Sequence, residues 1–145
     1  MLNDGLKLTG KLTIAINDEI VQEVPNLVVT AGKGYVASRM KDTSATAMSH
    51  MAIGTGSTAA AAGNTALGSE SARTALTSTT VSGADIVYVD TFAAGTGTGA
   101  ITEAAILNAS SGGTMLCRTV FNPVNKYKLD SLQITWTIDF QDATS

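Results

Sequence analysis

The sequence predicts an all-β fold, a sandwich or barrel with at most one or two short helices. Three observations predict it. Both ends of the chain alternate strictly between apolar and polar residues, short apolar runs recur between them, and Gly-rich turns separate those runs. No long helical pattern competes with this reading.

The first element covers Leu6–Ile16. There Leu6, Leu8, Leu12, Ile14 and Ile16 share one parity, and Lys7, Thr9, Lys11 and Thr13 occupy the other. Successive strand side chains point to opposite faces, so this is a half-buried strand long enough to cross a whole sheet. Asn17 and Asp18 suit a tight turn that sends residues 19–30 back as a second strand, with Pro25 forcing a break or an edge position. Thr30 is placed to cap a short helix of a turn or two through residues 34–41, with Val36 and Met40 on one face. Gly32 and Gly34 weaken that helix. Further strands are expected at 48–53, 76–81, 86–92, 101–107 and 115–121, the last pair flanking a hairpin turn at Ser110, Ser111, Gly112 and Gly113. A second helical turn is expected near 65–72. The final element alternates Leu132, Ile134, Trp136, Ile138 and Phe140 with Gln133, Thr135, Thr137 and Asp139. Ile14, Ile134, Trp136 and Ile138 are therefore expected in the core.

Two stretches contain little but Gly, Ala, Ser, Thr and Asn: residues 54–66 and 93–100. They offer little apolar area to bury and read as flexible or extended loops. At 145 residues, with no internal repeat and no break in composition, residues 1–145 form one domain.

Charged residues make up 14% of the chain, against roughly 25% in an average soluble domain. A surface of small neutral side chains suits close contact with other subunits, where an unpaired buried charge is costly. The formal net charge is −3, and no Lys/Arg cluster marks a nucleic-acid surface. Residues 1–12 lack the basic start and apolar run of a signal peptide. No stretch approaches the ~18 apolar residues of a membrane span. One cysteine, Cys117, excludes an internal disulfide and fits a reducing cytoplasm. Synthesis in a cytosol is the expectation.

Candidate chemistry is sparse. Residues 54–59 (GTGSTA) fit a G-x-G-x-x-A dinucleotide fingerprint, but Gly63 and Asn64 interrupt the helix that must follow. No acidic residue ends a second strand at the spacing that ribose binding requires. Gly95, Gly97 and Gly99 have no following Lys-Ser/Thr and make no phosphate loop. His50 is the only histidine and sits inside an expected strand. Cys117 alternates with Met115, Thr119 and Phe121 and reads as a sheet-face residue. A catalytic triad or a zinc site needs more than these two. No catalytic residue, cofactor or metal is therefore assigned, and the expectation is a non-enzymatic protein.

Several stretches, in order, resemble a known group: NLVVTAGKGYVASRM at 26–40, AIGTG at 52–56, TAL at 65–67, GTGAITEAAILN at 97–108, GTMLCR at 113–118 and LQITWTI at 132–138. Together they resemble small structural proteins of tailed bacteriophages, and most of all the cement, or capsid decoration, proteins of short-tailed phages. The resemblance spans residues 6–140. It implies a jelly-roll-like β-sandwich on the capsid exterior of the virion. The partners it implies are the major capsid protein and a second copy on two-fold axes, with no direct nucleic acid and no membrane. Related patterns occur in tail-fibre and receptor-binding modules, which gives the alternative expectation of an adhesin-type domain. In those modules Thr-Glu-Ala usually continues with Gly and an aromatic, whereas this chain has Ala105 and Leu107. Tyr35, Tyr88, Tyr127 and Trp136 are its only Tyr and Trp residues, few for a glycan site.

Overall fold

The computed structural model describes residues 6–41 and 46–142. Its elements run β1 (Leu6–Ile16), β2 (Glu19–Pro25), β3 (Leu27–Val28), α1 (Thr30–Lys41), β4 (His50–Gly54), β5 (Glu70–Ala75), β6 (Ser78–Ser82), β7 (Asp85–Phe92), β8 (Gly99–Leu107), β9 (Met115–Lys126) and β10 (Leu132–Asp142). The chain is a β-sandwich of two five-stranded antiparallel sheets. One, sheet A, has the order β2-β1-β10-β7-β6; the other, sheet B, has the order β3-β9-β8-β4-β5.

The alternating ends find each other. β1 and β10 pair antiparallel over their whole length, from Leu6 opposite Asp142 to Ile16 opposite Leu132. Their shared apolar parity puts Leu12, Ile14, Ile134, Trp136 and Ile138 on one face, where all five are buried. That face meets Val28, Met51, Ile53, Ile101, Ala104, Ile106 and Cys117 of sheet B to form the main core. In sheet B, β3 pairs with β9, and β8 and β9 lie side by side as a plain hairpin.

Local chemistry sets the corners. Asn17 and Asp18 both have positive φ, 49° and 70°, as a two-residue type I′ hairpin demands. Gly83 takes φ +60° at the β6–β7 turn. Pro25 ends β2 in sheet A, and the chain resumes two residues later as β3 in sheet B, so the expected break is a change of sheet.

The helix departs from expectation. α1 runs twelve residues rather than a turn or two. Its first turn closes with the Lys33 amide donating to the Val29 carbonyl at 3.1 Å, so the cap is Val29 and not Thr30. Gly32 does not merely weaken it: a Cβ there would lie 2.0 Å from the Leu116 carbonyl oxygen. Only glycine lets α1 rest directly on β9. The expected helical turn at 65–72 is absent, and β5 begins within that span at Glu70. The strand expected at 76–81 is β6 (Ser78–Ser82), and β5 (Glu70–Ala75), just before it, is a strand that the sequence reading did not expect. Between them the chain crosses from one sheet to the other.

Candidate functional site

The residues singled out from the sequence do not converge. His50 lies on β4 opposite Leu107 of β8, and Cys117 lies on β9 opposite Ile106. β8 separates them, and adjacent positions on it point to opposite faces. The His50 ring nitrogen Nδ1 is 2.7 Å from Ser49 Oγ. Asp90, a buried carboxylate, accepts from Thr74 Oγ1, Thr77 Oγ1 and the Thr91 amide, which knit the β5–β6 crossing to β7. Burial pushes its carboxyl above the usual range, partly offset by those hydrogen bonds. The Cys117 thiol is fully buried in the core, and burial pushes its pKa up, away from any thiolate role. Among the described residues no group of three or more His, Cys, Asp or Glu is placed to hold a metal.

The structure instead brings together two charges that the sequence reading passed over. Glu103 on β8 and Arg118 on β9 form an ion pair of 2.9 Å and are 0% and 2% exposed. They lie on the outer face of sheet B with Ala52, Ala105, Leu107 and Met115, beneath the small-residue loop that links β4 to β5. The carboxylate accepts from the amides of Gly56 (2.8 Å), Gly68 (2.8 Å) and Ser69 (2.7 Å). The guanidinium donates to the Thr58 carbonyl and to Asn64 Oδ1, each at 2.9 Å. Thr102 Oγ1 adds a bond to the Gly56 carbonyl, and the Thr30 amide reaches the Ala62 carbonyl at 2.8 Å. The loop, expected to be flexible or extended, is anchored along its length by these bonds.

This explains the apparent dinucleotide fingerprint. The glycines of such a motif let backbone amides approach an anion. Here the anion is resident: a Cβ at Gly56 would sit 2.4 Å from Glu103 Oε2, and one at Gly54 would sit 2.3 Å from the Ser69 carbonyl. Burial would raise the Glu103 pKa, but the Ser69 and Gly68 amides, Arg118 and the Gly56 amide outweigh it and hold the carboxyl below its ordinary value. The site is saturated with internal donors and does structural work. A local signal existed in the sequence. Glu103 and Arg118 are single charges inside apolar runs, and buried charges occur paired.

A second feature is open to solvent. A groove of ≈ 490 Å³ runs between α1 and the β6–β7 hairpin, with Tyr35, Val36, Met48, Val81, Tyr88 and Phe140 among its lining. Arg39 and Asp85 also border it. Asp85 faces Asp139 across the β7–β10 pair. A hydrogen bond between the two carboxyls, then burial and mutual repulsion, raise the Asp85 pKa. Such a groove takes up apolar or aromatic groups. Beside it β6 forms one edge of sheet A, and every residue of β6 is exposed.

No family model, no curated protein and no solved structure matches the chain.

Proposed function

We propose that the chain is a virion structural protein that decorates and cements the outside of a phage capsid by bridging neighbouring major capsid subunits. The observation that carries this reading is the anchored loop over sheet B. A broad patch of Gly, Ala, Ser and Thr is held in one shape by a buried ion pair, which suits a contact surface ordered before its partner arrives. Preorganisation removes the ordering cost that a free loop would add to binding. Small neutral side chains can approach a partner backbone closely and leave few exposed charges to desolvate. The phage-like order of sequence motifs supplies the setting, the outside of a capsid. A shell repeats one weak contact many times, so avidity replaces a single tight site.

One observation favours a second reading, an adhesin-type module of the tail. Tyr35 and Tyr88 both line the groove beside Arg39 and Asp85, the mixture of aromatic and polar groups that a small ligand needs.

The test is to delete or strip the protein and measure particle rupture temperature and host adsorption separately. Shells that assemble but rupture at lower temperature, with normal adsorption, are expected. Normal shells that fail to adsorb would overturn the cement reading in favour of the adhesin.

A further inference from the structure

We infer that β6 is a self-pairing edge, through which two copies of this chain join sheet A to sheet A across a two-fold axis. An exposed edge offers unpaired N–H and C=O groups to any strand, and proteins normally block it with charges, proline, bulges or brevity. Three of the four edges here are blocked in those ways. β2 carries Glu19, Glu23 and Pro25 and faces a register shift at Ile14/Ala15. β3 is two residues long. β5 carries Glu70 and Arg73 and faces a shift at Ile53/Gly54. β6 has none of these. Its sequence is STTVS, all exposed, and its register with β7 is regular from Ser78 opposite Val89 to Ser82 opposite Asp85.

Its side chains fit a copy of itself. A two-fold through Thr80 sets Ser78 against the second copy's Ser82 and Thr79 against its Val81. Each face then meets the like face of the other strand. Identical strands bring identical charges, and like charges directly opposite are destabilising; β6 brings none. Thr79 and Val81 line the groove, so the grooves of the two copies become neighbours across the axis. Val81, 71% exposed in one copy, is covered by the other. A five-residue edge lies at the small end of specific interfaces, so dissociation is expected in the micromolar range or weaker. The phage resemblance implies a second copy on two-fold axes but no contact surface; the choice of β6 rests on the edge strands alone and not on the capsid reading.

The test uses purified chain without capsids. Sedimentation should show a concentration-dependent dimer that is lost in Val81→Lys, with the circular dichroism spectrum unchanged. Thr80→Cys should form a disulfide-linked dimer on mild oxidation, because residues directly opposite have Cβ atoms about 4.5–5.5 Å apart. Ser78→Cys alone should not, its symmetry mate being roughly 13 Å along the strand. A mixture of Ser78→Cys and Ser82→Cys chains should. Cys117 is buried and does not compete. A monomer at every concentration, or a dimer in which Thr80→Cys copies do not cross-link, would overturn the pairing. A monomer that still hardens shells would remove the pairing and leave the cement reading intact. A cross-linked dimer that leaves shells unaffected would do the reverse.

Discussion

Glu103 and Arg118 sit at the centre of a dense hydrogen-bond network, and the cost of removing either can be placed within limits. Breaking a buried ion pair by neutralising one partner leaves the other charge uncompensated, typically about 3–5 kcal/mol. Glu103→Gln should lose a stability of that order in urea denaturation while Arg118 stays charged. The pH dependence has a definite sign. The folded carboxyl titrates below its ordinary value, so the unfolded chain takes up the proton first as pH falls. The stabilisation is present above the unfolded carboxyl pKa of about 4.3 and disappears as pH drops through the folded value. Stability measured between neutral pH and pH 3 should therefore fall more steeply in the wild type than in Glu103→Gln. An equal slope would mean that the clamp is not what titrates.

At the scale of elements, the β1–β2 turn is tied to the β9–β10 turn. Asn17 donates from Nδ2 to Asp130 at 2.9 Å and accepts from the Ser131 amide at 3.0 Å, while holding φ at +49°. Asn17→Ala would keep the left-handed backbone but lose both bonds and the residue type that tolerates it. A loss of about 1–2 kcal/mol is expected in thermal unfolding. Legibility divides along similar lines. β1, β10 and the Asn17–Asp18 turn could be read directly, because period-two alternation and left-handed turn residues are local properties. α1 was underestimated because Gly32 costs helix propensity locally, whereas its benefit, contact with Leu116, lies some eighty residues away. The supposed helical turn at 65–72 failed because Gly68 and Ser69 turn their amides to Glu103. The clamp stayed hidden for the same reason: its partners meet only through the β8–β9 register and the fold of a loop that looked featureless.

Taken whole, the molecule has one continuous core between its sheets, and β10 supplies the middle of one wall. Ile134→Ala should cost roughly 2–5 kcal/mol, since Ile134 is fully buried there. Far-UV circular dichroism should show strand dominance with helix well below the one-third average of globular domains, in keeping with a single twelve-residue helix among the described residues. The strand order also has a consequence in time. β10, the last described strand to leave a ribosome, is the central strand of sheet A, flanked by β1 and β7. Until it arrives, the β1–β2 and β6–β7 hairpins have nothing to join them, and an isolated hairpin is marginally stable in water. Sheet B waits only for β9, which pairs with both β3 and β8. Between the emergence of β9 and that of β10 the nascent chain is thus half a sandwich, with the core face of sheet B uncovered. The final strand closes that face by a pairing that spans almost the whole chain, the kind of contact that makes β proteins slow to fold.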